Sequence, residues 1–138
     1  ARTSAAEMDA QVAIVVDVTH ATDYPGIDKR RHGEYRLGGG PVLSRGSAVN
    51  GAVFERLVAA AEKEKIPYSV EAAPRMTNTD ADHIFTAARG VATGLVSVPL
   101  RYMHSPNELV QLEDLDRAAR LLAAFARGLK SDAGFAPR

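Results

Sequence analysis

At 138 residues, the chain fits one ordinary domain with enough length to bury a core. Its 17 basic and 17 acidic residues cancel, so no whole-chain field draws it to nucleic acid or to an anionic membrane. Cysteine is absent, which excludes disulfides and thiolate-based metal or nucleophile chemistry and fits a reducing, cytoplasmic setting.

The opening, Ala1-Arg2-Thr3-Ser4-Ala5-Ala6, has neither an initiator Met nor an apolar signal core. Residues 12–16 form a compact apolar run, read as a strand buried on both faces and ending at Asp17. Residues 19–33 are polar and carry the turn signal Tyr24-Pro25-Gly26, so a long surface loop is expected. Gly38-Gly39-Gly40-Pro41 then breaks the chain before a short strand at 42–44. Asn50 caps a helix running to about Lys65, with Val53, Leu57, Val58 and Ala61 as its apolar stripe and Lys63 and Lys65 at its negative end. Tyr68, Val70 and Ala72 alternate as a strand does. Asp80 and Asp82 stand at the start of a shorter helix through Ile84, Phe85 and Ala88, stopped by Gly90. A strand over 93–98 ends at Pro99, and a last helix covers roughly 113–129. Residues 1–131 are read as one folded unit and 132–138 as a loose tail. The longest apolar runs are far too short to span a bilayer.

Strands alternating with helices point to the α/β class, as a layered α/β/α sheet with flanking helices. Ligands of such sheets gather beyond the carboxyl ends of strands, which directs attention to Asp17 and His104. A carboxylate directly after five apolar residues needs a cation, a metal or backbone donors, and the local sequence favours a carboxylate capping the next turn. His104 is a good zinc ligand by type, while its local sequence favours an ordinary loop histidine. Arg101 suits a substrate carbonyl or a structural ion pair, and Glu108 receives no role. Asp80 and His83 share a helical face while Asp82 points elsewhere, so Asp82 reads as a dipole-stabilised carboxylate and Asp80 stays open as a substrate contact. His20, Asp23, Asp28 and His32 lack ligand spacing and read as solvated loop residues. The three glycines lack the Lys-Ser/Thr ending of a phosphate loop. There is no Gly-x-Ser-x-Gly elbow and no basic–aromatic pattern for RNA.

Three stretches resemble the glutamyl aminopeptidase and cellulase-M-like family of dinuclear zinc or cobalt peptidases, relatives of the TET aminopeptidases. They are Val15-Val16-Asp17-Val18-Thr19-His20-Ala21-Thr22-Asp23-Tyr24-Pro25-Gly26, Thr79-Asp80-Ala81, and Val96-Ser97-Val98-Pro99-Leu100-Arg101-Tyr102-Met103-His104-Ser105-Pro106. Their order and spacing match as well, and the resemblance runs from the N-terminus to about Leu129. It implies that Asp17 is a carboxylate ligand of one metal and His104 an imidazole ligand of the other. The remaining ligands and a general-base Glu are then expected in sequence before Ala1, where the family also inserts its oligomerisation domain. It further implies peptide substrates, two divalent ions (zinc or cobalt), and a homo-oligomeric parent, from dimer to dodecamer. Arg75-Met76-Thr77-Asn78 departs from the glycine-rich stretch common in the family, which bears on the substrate pocket. The competing readings are a non-catalytic α/β module and a glycan hydrolase using Asp17 and Asp80, which leaves His104 idle.

Overall fold

The structure, a computed structural model, describes residues 1–130 and 134–135. In chain order it holds α1 (Arg2–Met8), β1 (Val12–His20), α2 (Lys29–His32), β2 (Val42–Gly46), α3 (Gly51–Lys63), β3 (Ser69–Ala73), α4 (Ala81–Ile84), β4 (Ala92–Arg101), β5 (Leu109–Val110) and α5 (Leu112–Gly128). The strands form one mixed sheet in the order β1-β4-β2-β3, with β5 added to β4. β1 and β4 run parallel, β2 and β3 run parallel, and β2 meets β4 antiparallel.

Because side chains alternate along a strand, each face of the β1–β4 pair collects its own layer. Val12, Ile14, Val96 and Val98 pack with Val53, Leu57 and Ala61 of α3 and with Ala118, Leu121 and Phe125 of α5. Val15 and Leu95 turn the other way, onto Ala81 and Ile84 of α4, while Ala13 meets Ala5 of α1 with Ala87 and Val91. Helices on both faces make the α/β/α arrangement that the alternating pattern leads one to expect. Burial of each large side chain such as Leu57 or Leu121 contributes about 1.5–3 kcal/mol. Gly94 lets α3 approach closely, since a Cβ there would stand 2.7 Å from Val53 Cγ1 and 2.8 Å from Ile14 Cδ1.

Local signals are borne out where they are strong. Asn50 Oδ1 accepts from the amides of Ala52 (3.0 Å) and Val53 (3.2 Å), capping α3. α5 begins and ends within one residue of the expected 113–129.

Other expectations need correction. β1 does not end at Asp17 but runs three residues further, and it is not buried on both faces: Val16 and Val18 are 52% and 37% exposed. Among the described residues β4 is its only strand partner, and no helix covers that end of the face. β4 continues through Pro99 to Arg101. Pro99 falls between the pairings of β4 with β2 (at Val96 and Ser97) and with β5 (at Leu100 and Arg101), where its missing N–H costs no ladder bond on that side. α4 is one turn only, because the chain leaves it at Phe85 and Ala88 takes a left-handed φ of 50° before Gly90. The loop expected over 19–33 contains the end of β1 and the single turn of α2. α1 and β5 are too short to show a periodicity, and the sequence pattern does not reveal them. Of the expected tail, only Gly134 and Phe135 lie among the described residues. There the Phe135 carbonyl accepts from Asn50 Nδ2 at 2.9 Å. No described helix is long and apolar enough to cross a membrane.

Candidate functional site

Asp17 lies on β1 opposite Ser97 of β4, half-buried, and its Oδ1 accepts from the Val18 amide at 2.8 Å. Its side chain leaves β1 on the face shared with Thr19, whose hydroxyl donates to Glu71 Oε1 at 3.0 Å; Ser44 donates to Glu71 Oε2 at 3.4 Å. Glu71 is therefore a second carboxylate on this face, tying β3 to β1, and no local sequence signal marks it. Burial raises the Tyr35 phenol above its ordinary range, and the Glu71 charge adds to the shift.

His104 sits in the loop that follows β4, and its imidazole is exposed. Tyr102 and His104 both adopt left-handed backbone, with φ of 62° and 61°. For non-glycine residues this costs about 1–2 kcal/mol each, so the loop holds its shape only through other contacts. One is direct: the His104 amide donates to Glu108 Oε1 at 2.7 Å. Since β1 and β4 are parallel and His20 pairs with Leu100, Asp17 and His104 occupy the same end of the sheet. Along the strand, Asp17 stands back from the His20–Leu100 pair by three residues, about 10 Å. No three His, Cys, Asp or Glu residues among those described converge into a metal-binding cluster.

Arg101, the last residue of β4, is held by Asp23: Nε donates to Oδ1 at 3.1 Å and Nη2 to the Asp23 carbonyl at 3.2 Å, with an ion-pair distance of 3.0 Å. The other Asp23 oxygen accepts from the Leu37 amide at 3.2 Å. Asp23 is thus no solvated loop residue; its side chain is only 18% exposed. Asp28 caps α2 through the Arg30 amide, and His20 and His32 remain exposed. No spacing rule pairs Asp23 with a residue 78 positions away.

At the start of α4, Asp80 occupies the capping position but makes no capping hydrogen bond, and it is exposed. Asp82 turns back instead, accepting from the Thr77 amide (2.9 Å), the Thr77 hydroxyl (2.9 Å) and the Asn78 amide (2.8 Å). Burial pushes the Asp82 carboxyl up, but these hydrogen bonds outweigh it and hold the group below the ordinary carboxylate value. Asn78 has a φ of 56°. Asn is among the non-glycine types that tolerate left-handed backbone best. The depressed Asp82 value stabilises the fold above the unfolded carboxylate pKa, about 4, and is lost as pH falls through the lower folded value. Asp82→Ala is expected to cost about 1–3 kcal/mol. It should also abolish exchange protection of the Thr77 and Asn78 amides at about pH 6, well above the carboxylate range, and unchanged protection would refute this anchoring role.

The glycine run binds a carboxylate of its own chain. Asp114, in the first turn of α5 and fully buried, accepts from Gly38 N at 2.7 Å and Gly40 N at 2.8 Å. Arg117 donates to the Gly38 carbonyl at 2.6 Å and lies 3.6 Å from Asp114. The positive φ of Gly38 and Gly40, 78° and 88°, turns both amides toward Asp114.

The three sequence stretches with family character meet in space. The first lies on β1 and the chain after it, the third on β4 and the His104 loop, and Ala81 of the second is packed against Val15 and Leu95 beneath them. A family model for M42 glutamyl aminopeptidase matches residues 1–121. The chain belongs to the M42 glutamyl aminopeptidase family. The chain is also similar to individual aminopeptidases over nearly its whole length. A lysyl aminopeptidase of Pyrococcus furiosus is 38% identical over 130 residues, covering 94% of this chain and 37% of the relative. An aminopeptidase from Desulfurococcus kamchatkensis superposes with a TM-score of 0.85 at 39% identity, over 94% of this chain and 37% of that one. A TET aminopeptidase from a marine-sediment Thaumarchaeota archaeon gives a TM-score of 0.86 at 28% identity, over 95% and 37%. The chain therefore spans little more than a third of the length of these relatives.

Proposed function

We propose that this M42 chain supplies one side of the active site of an aminopeptidase that removes N-terminal residues from peptides with two divalent metal ions. The observation that carries the reading is that Asp17 and His104 lie toward the same end of the sheet, on β1 and just beyond the neighbouring parallel β4, with the second stretch packed against Val15 and Leu95. Asp17 is assigned as carboxylate ligand of one ion and His104 as imidazole ligand of the other. The donors fit: among the described residues Asp17 Oδ2 and the His104 imidazole have no hydrogen-bond partner. Oxygen with nitrogen suits zinc or cobalt. Lewis acidity toward the scissile carbonyl and the attacking water is the chemistry such ions supply. His104 must be neutral to ligate, so metal affinity falls in acid. The further ligands and the general-base Glu are assigned to sequence outside these 138 residues, consistent with the share of the relatives that the chain spans.

Asp80, exposed ahead of α4, is assigned to the substrate side. Arg101 joins it there only through Nη1, the guanidinium nitrogen that Asp23 leaves free. A cytoplasmic homo-oligomer, between dimer and dodecamer, completes the proposal, with no nucleic-acid or membrane partner.

The test uses the whole protein that contains this chain, assayed on aminoacyl anilides before and after chelation. Activity should vanish with chelator and return with zinc or cobalt, and cellulose should not be cleaved. Chelator-insensitive sugar release would overturn the peptidase reading. The isolated 138-residue chain should bind zinc weakly and hydrolyse nothing; full activity from it, with its mass confirmed, would show that the site is complete within it.

A further inference from the structure

We infer that Asp23 and Glu108 are positioning residues that fix His104 relative to Asp17 by clamping the two sides of the loop that carries it. The inference rests on the assignment of His104 as a metal ligand. After β1, the chain stays against β4, since the Ala21 amide donates to the Leu100 carbonyl at 2.8 Å. Two residues on, Asp23 grips the Arg101 guanidinium with both its carboxylate and its carbonyl, and the Leu37 amide holds the other carboxylate oxygen. Arg101 directly precedes left-handed Tyr102, so this contact ties the root of the His104 loop to the continuation of the strand that bears Asp17. On the other side, β5 closes the loop by pairing Leu109 with Arg101 and Val110 with Leu100. Glu108, one residue before β5, reaches back to the His104 amide at 2.7 Å, a charge-assisted bond.

Left-handed backbone at two non-glycine residues persists only where surrounding contacts over-determine it. Here those contacts are the Arg101–Asp23 pair, the β5 ladder and the Glu108 bond. Neither carboxylate is deeply buried, so their main effect is on geometry at His104 rather than on global stability. Side chains that orient a metal ligand typically govern metal affinity or activity by about 10–100-fold.

In the whole metal-loaded protein, Asp23→Asn and Glu108→Ala should each lower kcat by about 10–100-fold and weaken binding of one of the two metals. KM and Tm should change little. Glu108→Gln, which keeps an acceptor oxygen, should recover most of the activity. Arg101→Lys should not recover it, because a point charge cannot make the forked contact to Asp23. Unchanged kcat and metal content in both carboxylate variants of an active enzyme would overturn the positioning role alone. So would an Arg101→Met variant that raises KM while leaving kcat and metal content unchanged, which would leave Arg101 a substrate contact and nothing more. A wild-type protein without metal-dependent hydrolysis would overturn the proposed function and this inference with it.

Discussion

Asp17→Asn or His104→Ala in the whole protein is expected to lower kcat by about 100–1000-fold, equivalent to about 3–4 kcal/mol of transition-state stabilisation. On the two-metal proposal, each variant should retain about half the metal bound by the wild-type protein. The Asn substitution is nearly isosteric and keeps an oxygen for the Val18 amide, the one hydrogen bond that the Asp17 side chain makes among the described residues. What it removes is charge, so a loss of activity without loss of fold isolates the ligand role. For His104, the exposed imidazole has no packing role to confuse the result, and the backbone bond to Glu108 survives truncation. Metal analysis and circular dichroism on the same samples decide the matter. If both metals and kcat persist in either variant, that residue is not a ligand.

The largest effect on stability is expected at Asp114. Asp114→Ala should cost about 2–5 kcal/mol, because it removes the fully buried acceptor of two loop amides, while Arg117 keeps its ion pair with Glu113. Two glycine amides lose their acceptor, and Arg117, at 18% exposure, loses a nearby carboxylate while still bonded to the Gly38 carbonyl. Asn at this position accepts through only one oxygen and should fall between the two. Gly40→Ala tests the other side of the clasp. A Cβ there would collide with the Pro67 carbonyl oxygen, and its φ of 88° is strained for any L side chain. Urea unfolding of the described chain reads both; a loss below about 1 kcal/mol for Asp114→Ala would show that the loop has another anchor.

The part of the site legible in the sequence is the part that short stretches encode. Asp17 and His104 stand out because each follows an apolar run and sits inside a stretch with family character, and the parallel pairing of β1 and β4 does bring those runs side by side. Asp82 is legible too, as a carboxylate that serves the backbone, although it serves the preceding turn instead of the helix dipole. Asp23 and Glu108 are not. Asp23 resembles any other polar loop residue until Arg101 arrives beside it, and Glu108 resembles a solvated side chain until the loop folds back on it. The glycine run reads only as a chain break, because the group it binds is a side chain on α5.

By itself, the sequence determined the helices with strong periodicity and caps, the α/β class, the family, and the two residues worth testing first. These depend on neighbours within a turn or a strand, where side-chain spacing maps directly onto a face. Only the tertiary structure decided how far β1 and β4 extend, which face of β1 stays open, and what Asp23, Glu71 and Asp114 hold. Their partners lie 78, 52 and 74–76 residues away, and such contacts follow from sheet order and packing, which no local pattern encodes.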